Sequence, residues 1–251
     1  MDQSTIDFYQ SNSKLIHNKD VLPTPAEFVN ATTDEEIEKF FKWIRHSSRC
    51  KSLRLDINTD IIELQEELKE KYDLAVPHRH HIGWRSITLY GYSSIMTNSY
   101  EHYKELGFVS DEDKTDWTDV CRFFPKTVEW VKKNSPIQNY ARVRIMVLDP
   151  GCHITPHKDY AYGQVLASTV NFAIINPENV EFVLEDGGTI PWKEGDVRVV
   201  DVGSVHSVRN MSQQARIHLI ITPTQNDWDI AGKRLVCQSF LKYERERNDQ
   251  R

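Results

Sequence analysis

Apolar residues recur with two different periods along this chain, and the period changes near its middle. Over Thr33–His46, Ile37, Phe40, Phe41 and Ile44 fall at the spacing of one face of a helix. Thr33 with Glu36 three residues on has the form of a capping box, which satisfies the orphan amides of a helix start. The segment from Asp60 repeats this logic, with Asp60 as cap and Ile61, Leu64 and Leu68 on one face. A third helical stretch over 115–134 breaks or restarts at Pro125, whose ring and missing N–H disrupt a helix interior. The tail, about 225–251, reads as a closing helix that ends in mixed charge.

The second half is different. "ARVRIMVL", "VLASTVNFAII", "VEFVLED", "DVRVVDV", "HSVRN" and "ARIHLIITP" are short, rich in Val and Ile, and partly alternating. Turn formers separate them: Pro150-Gly151, Asn176-Pro177, Asp186-Gly187-Gly188, Gly195-Asp196 and Gly203. "GWRSITLYG", Gly83–Gly91, adds an earlier strand. Many short strands at close spacing predict a β-sandwich or barrel. With no repeat and no low-complexity linker, the expectation is one domain over 1–251. It comprises a helical part at about 1–80, a β core at about 81–224 and the closing helix.

Composition narrows the function classes. An apolar share of 39% and a charged share of 27% belong to an ordinary globular chain. A net charge of −6 gives no basis for the basic face that nucleic-acid binding needs. Cys50, Cys121, Cys152 and Cys237 stand far apart with no C-x-x-C pair. They predict thiols in a reducing compartment rather than a zinc module or disulfide framework. The polar start "MDQSTIDFYQ" lacks the apolar region of a secretory signal, and no apolar run reaches spanning length. A cytoplasmic protein with no membrane contact is expected.

The candidate chemistry lies in "HITPHKDYAY", His153–Tyr162. Residues two apart on a strand share a face, so His157 and Asp159 can offer an imidazole and a carboxylate to one metal ion. His206, in the downstream segment "HSVRN", supplies a second imidazole. Two histidines and one carboxylate make a facial triad, which leaves positions open and suits non-haem Fe(II) oxygenases. An H-x-D triplet alone is common by chance, and only its combination with His206 carries weight. Arg216 follows on the apolar strand "ARIHLIITP". A guanidinium projecting from a core-facing strand needs an anion, because an unpaired buried charge is costly. Its planar fork suits a carboxylate, and a dicarboxylate cosubstrate such as 2-oxoglutarate offers one.

Other residues are open between two readings. His218 shares the face of Arg216, where it touches the cosubstrate or is a satisfied core histidine. Arg144 binds a substrate carboxylate if its strand face lines the barrel, and is a surface residue if not. Trp84 and Tyr160 are pocket-wall candidates at positions where aromatics more often serve the core. Cys152 and His153 read as a small apolar filler and a residue that points away or caps a turn. "HRHH", His78–His81, reads as a solvated basic loop, or as a lid whose Arg79 or the nearby Arg85 meets an acidic substrate group.

The run from Arg142 to Pro223 resembles the aspartyl/asparaginyl β-hydroxylase family of Fe(II)- and 2-oxoglutarate-dependent oxygenases. "RVRIMVLDPG", "ITPHKD", "WKEGDVRVVD", "HSVRN" and "RIHLII" carry the resemblance, in the family's order and spacing. It implies a mainly β fold, a double-stranded β-helix (jelly roll or cupin) with flanking helices. It implies His157, Asp159 and His206 as iron ligands and Arg216 as partner of the distal carboxylate of 2-oxoglutarate. The implied activity is a dioxygenase that uses Fe(II), 2-oxoglutarate and O2. It hydroxylates an unactivated C–H of an amino acid, a derivative or a peptide side chain, releasing succinate and CO2. Asp159 fills a slot that is empty in the family's two-histidine animal members and small in halogenases, so hydroxylation is favoured. The chain departs from the family on the strand after H-x-D. Thr169 and Asn171 stand where an arginine and a histidine are usual, leaving Asn171 as a hydrogen-bonding cosubstrate contact. Met146 stands where some members have a serine. The rivals are a non-catalytic cupin that binds a metal or small acid, and a cupin metalloenzyme that does not use 2-oxoglutarate. Arg216 speaks against both.

Overall fold

The segment after Thr33 is helical, and both halves of its capping box form. Glu36 N–H donates to Thr33 Oγ1 at 3.3 Å, and the Glu36 carboxylate accepts from Thr33 N–H at 2.9 Å. The computed structural model describes residues 1–77, 81–94, 115–159, 166, 169–224 and 228–249. The N-terminal part holds α1 (Gln3–Asn12), α2 (Asp34–His46), β1 (Ser52–Arg54), α3 (Ile62–Lys71) and β2 (Val76–Pro77). Then come β3 (Trp84–Gly91), β4 (Asp116–Trp117) and α4 (Pro125–Asn134). The rest is β5 (Tyr140–Leu148), β6 (His153–His157), β7 (Val170–Ile175), β8 (Val180–Leu184) and β9 (Gly188–Thr189). β10 (Val197–Val200), β11 (His206–Asn210), β12 (Arg216–Pro223) and α5 (Ile230–Asp249) complete it.

Two antiparallel sheets form. The larger runs β1-β10-β7-β12-β5-β3-β2 with β4 on β3, and the smaller runs β6-β11-β8-β9. From β5 onward the chain crosses between them, with β5, β7, β10 and β12 in the large sheet and β6, β8, β9 and β11 in the small one. This is the double-stranded β-helix, so the mainly β jelly roll with flanking helices expected from the sequence is the fold observed.

The two faces of the large sheet differ in kind. Residues directly opposite on neighbouring strands share a face. Ile87, Ile145, Leu219, Phe172 and Val197 lie side by side across β3, β5, β12, β7 and β10. All are buried against Ile37, Phe40, Ile44, Val131 and Phe240 of the helices. Trp130 of α4 lies on Phe172 with ring centroids 4.4 Å apart. The next row reads Thr88, Arg144, Ile220, Asn171, Arg198 and Arg54, and it faces the small sheet. The large sheet is therefore held by its outer apolar face, and its inner face is largely polar. A smaller apolar cluster of Leu148, Ile154, Phe182, Leu184, Val200 and Val208 joins the two sheets.

Three local expectations need correction. Asp60 does not cap α3: the helix begins at Ile62 after Ile61, and Asp60 only accepts the Ile62 N–H at 3.1 Å. The stretch over 115–134 begins as β4 and a 3₁₀ turn, and only Pro125 onward is α-helix, with proline in its first turn, where its missing N–H costs nothing. The N-terminal part is not all helical, since β1 pairs with β10 at the edge of the large sheet.

The start of α4 has no cap from its own segment. The buried Glu67 of α3 supplies it, accepting Lys126 N–H and Thr127 N–H at 2.9 Å each and Thr127 Oγ1–H at 2.7 Å. An anion at a helix N-terminus also meets the positive end of its dipole. Glu67→Ala should lower unfolding stability by about 2–3 kcal/mol, the loss expected for buried charge-assisted hydrogen bonds. Urea denaturation checks this, and a midpoint within error of the parent contradicts it.

Candidate metal centre and its surroundings

β6 ends at His157 and β11 begins at His206, and the two are register partners. Their ring centroids are 4.3 Å apart. Strand alternation alone would not produce this. Ile154 pairs with Val208, and both lie in the inner apolar cluster. His157 is three residues from Ile154 and should face the other way. Between the two pairs the register shifts, with Thr155 and Pro156 lying against Ser207 alone. That is a β-bulge, which changes the phase of a strand by one residue. It turns His157 inward beside His206. His153 pairs with Arg209, on the other side of Ile154, so it does not share the direction of the site.

Asp159 lies just past β6, so strand alternation is not what brings it to the site. Its backbone N–H donates to Val202 O at 3.1 Å. One Asp159 oxygen is 3.3 Å from His157 Nε2. A ligand atom from each of His157, Asp159 and His206 lies within 4.8 Å of the others, the one such group among the described residues. His206 is buried, His157 half-buried, and Asp159 sits at the rim.

Hydrogen bonds fix the tautomers. His157 Nδ1 lies 2.8 Å from Thr155 O, and His206 Nδ1 lies 3.1 Å from Ser204 O. A carbonyl only accepts, so each Nδ1 donates; His206 Nε2 is left with its lone pair, while His157 Nε2 faces an Asp159 oxygen and shares a proton with it when the imidazole is charged. Burial lowers the His206 pKa despite Asp159 nearby. For His157, burial acts downward, but Asp159 and the Thr155 carbonyl outweigh it and leave the pKa raised. Partial desolvation pushes Asp159 up, while His157, His206 and Arg144 together hold it below its usual value. Two imidazoles and one carboxylate with ligand atoms this close together are a donor set that fits Fe(II), each histidine binding in its neutral form.

Deeper in the barrel lies Arg216, 3% exposed. Its Nη2 is 2.9 Å from His218 Nδ1, its Nε has no partner, and Phe182 lies against it. Among the described residues no carboxylate pairs with it, and burial pushes its pKa down to about 9. His218 Nδ1 is also 2.7 Å from Asn171 Oδ1, and Nε2 is 3.1 Å from Asn176 Oδ1. A guanidinium only donates, so Nδ1 accepts from Arg216 and Nε2–H donates to Asn176. Trp192 closes the other side, its ring 4.9 Å from His218. The opposing Met146 on β5 is buried.

Arg144 belongs to the inner row beside Asn171 and Ile220, and its charge is felt at Asp159. Trp84 opens β3 opposite Leu148, with its ring 5.3 Å from His81. His81 in turn is 6.0 Å from His157. Of "HRHH", His81 is half-buried beside Trp84, and the remainder, with Arg79, lies outside the described residues, as does Tyr160. Arg85 is no lid residue: it pairs with Asp149 at 2.6 Å and lies over the Tyr72 ring. Cys152 packs under Gly83 (φ +74°), where an added Cβ would stand 2.2 Å from its Sγ. The sequence reading missed Asn176, Trp192 and the bulge. Only Pro156 inside a strand signalled the last, since proline in a sheet marks an edge or bulge.

A family model described as Aspartyl/Asparaginyl beta-hydroxylase matches residues 51–225. Among curated proteins, sequence comparison finds no match. An oxidoreductase of the 2OG-Fe(II) oxygenase family from Burkholderia pseudomallei is similar in structure, with a TM-score of 0.44 and 12% identity over 74% of this chain and 88% of that one. A Pseudomonas putida prolyl-4-hydroxylase gives a TM-score of 0.41 and 9% identity over 75% and 99%. The viral collagen prolyl hydroxylase of Paramecium Bursaria Chlorella virus-1 gives 0.39 and 13% over 68% and 94%. At these values the likenesses carry no weight in the functional reading.

Burial and the Arg216 charge hold the His218 pKa well below 6.5. Below that pH the unfolded chain protonates this imidazole and the folded chain does not. Stability should therefore fall as pH drops below about 6.5, by up to about 1.4 kcal/mol per pH unit from this group. His218→Gln should flatten that slope in urea titrations at pH 7.5, 6.5 and 5.5. A parental slope in the variant contradicts the assignment.

Proposed function

Because the chain belongs to the aspartyl/asparaginyl β-hydroxylase family, we propose that His157, Asp159 and His206 hold the iron of a 2-oxoglutarate-dependent hydroxylase and that Arg216 receives the cosubstrate. The family fixes the reaction type, an oxidoreductase that uses Fe(II), O2 and 2-oxoglutarate. The observation that carries the residue assignment is the convergence of two oriented imidazoles and a carboxylate within 4.8 Å. Held by these three residues, Fe(II) would supply the O2 activation that couples hydroxylation of a C–H bond to conversion of 2-oxoglutarate into succinate and CO2.

The side chains have separate tasks. Thr155 O and Ser204 O hold the two Nδ1–H groups, which turns both Nε2 atoms toward the metal position. Arg216 binds the distal carboxylate of the cosubstrate, which supplies the anion its buried charge lacks. Asn171 and His218 flank that carboxylate. Phe182 and Trp192 keep water away, which strengthens the ion pair. Arg144, on the same inner row and within electrostatic reach of Asp159, takes a carboxylate of the substrate. Trp84 walls the same space. This favours a free amino acid, a derivative of one, or a peptide side chain near an acidic group.

We also place the protein in the cytoplasm. Its cysteines are free, and burial pushes the Cys50 and Cys237 thiols up to about 12, so they are unreactive fillers. No helix among the described residues is long and apolar enough to cross a membrane.

Anaerobic protein with Fe(II) and 2-oxoglutarate should show a weak charge-transfer band in the visible. His157→Ala and His206→Ala should each abolish it, and its survival in either variant defeats the ligand assignment. Arg216→Met should raise the half-saturating 2-oxoglutarate concentration by roughly 10²-fold, since it leaves a carboxylate unpaired. Succinate release measured over a panel of amino acids and peptides identifies the substrate. On it, Arg144→Met should raise KM by roughly tenfold or more while the band persists.

A further inference from the structure

Two of the three candidate ligands lean on the turn Asp201–Ser204. Ser204 O accepts His206 Nδ1–H at 3.1 Å, and Val202 O accepts the Asp159 backbone N–H at 3.1 Å. The orientation of an imidazole from β11 and of a carboxylate from beyond β6 thus depends on two carbonyls of one short turn. Within the turn, Ser204 N–H donates to Asp201 O at 3.2 Å and Ser204 Oγ–H to Asp201 Oδ2 at 2.7 Å.

One side chain holds the turn from outside. Lys51 Nζ lies 3.0 Å from Asp201 Oδ2 and also donates to Ser204 Oγ, so it grips both ends. The Lys51 backbone joins in, with Asp201 N–H donating to Lys51 O at 2.8 Å. Lys51 is itself anchored, since its N–H donates to Asn18 Oδ1 at 2.8 Å while Asn18 Nδ2 donates to Ser52 O at 2.7 Å. Exposed ion pairs contribute little. This one is different: the Lys51 and Asp201 side chains are only 30% and 14% exposed, and the ammonium meets two partners at once.

We propose that Lys51 is a positioning residue for the iron centre, clamping the Asp201–Ser204 turn so that its carbonyls orient His206 and Asp159. The proposal rests on the reading of His157, Asp159 and His206 as iron ligands. Groups that orient metal ligands typically change metal affinity by roughly 10–100-fold when removed. Lys51 touches neither metal nor substrate, so its effect should appear as weaker iron binding in a protein that still folds.

The test is anaerobic calorimetric titration of the metal-free protein with Fe(II), alongside its thermal midpoint. Lys51→Met should weaken Fe(II) binding by roughly tenfold or more, with the metal-free midpoint within about 4 °C of the parent. Lys51→Arg, which keeps charge and reach, should restore most of the affinity. Asp201→Asn, which keeps the shape of the other partner, should weaken binding as Lys51→Met does. Parental Fe(II) affinity in both Lys51→Met and Asp201→Asn overturns the clamp. So does a loss of affinity that Arg fails to restore and that tracks a falling midpoint. His206→Ala separates the two levels: if the parent binds Fe(II) and His206→Ala does not, the ligand reading stands whatever the lysine variants do. If His206→Ala binds like the parent, the ligand reading fails and the clamp with it.

Discussion

The bulge at Thr155-Pro156 is the constraint on which the site depends. Without it, β6 would keep strict alternation, and His157 would point away from the barrel whenever Ile154 points in. With it, one strand supplies both a packing residue and a ligand candidate to the same interior. The bulge also frees a carbonyl, Thr155 O, and that carbonyl fixes the tautomer of the histidine it has turned. One local irregularity thus sets position, direction and protonation together. Ser207, its single opposite residue, is tied outward to Tyr9 Oη and Ile154 O, so the bulge is held from both sides.

The interior beyond it holds a buried charge with no carboxylate partner among the described residues. Arg216 is buried against Phe182, and among the described residues its polar contact is the His218 imidazole. Other buried cations in this chain have carboxylates. Arg198 pairs with Asp196 at 3.0 Å, and Lys233 with Glu38 at 2.6 Å. The contrast between these pairs and Arg216 is what gives the latter meaning. Among the described residues Arg216 is thus the buried cation without a carboxylate, and a buried charge in that state gains most from an incoming anion. The His218 ring that meets this cation is in turn flanked by Asn171 and Asn176.

How much was legible in the sequence follows from the range of each interaction. The stripe and capping box of α2 depend on residues within two turns of each other, and both form. The strands of the β core are short-period patterns and appear where the alternation places them. His157, Asp159 and His206 were legible as a set of residue types, and the structure brings them together. What was hidden is non-local. The cap of α4 comes from Glu67 on another helix, and β1 is a strand only because β10 offers an edge. Asp60 looked like a cap because its chemistry is right, but the helix starts one residue later than that role requires. Arg85 looked available for a substrate because Asp149, its partner, is far away in sequence. Even the H-x-D spacing was right for a partly wrong reason, since Asp159 is placed by a hydrogen bond to Val202 and not by strand alternation.

The division of the large sheet into an apolar outer face and a polar inner face has an evolutionary consequence. Folding stability is concentrated on the helix side, where Phe172, Leu219 and Ile145 are locked against their neighbours. The lining residues around Arg144, Asn171 and Thr88 contribute little to that packing. A lineage built on this plan can trade lining side chains, and so explore new chemical clients, with small cost to its ability to fold. The freedom stops at Thr155-Pro156. A change that restored regular alternation there would remove an inward histidine in one step, whatever the lining had become.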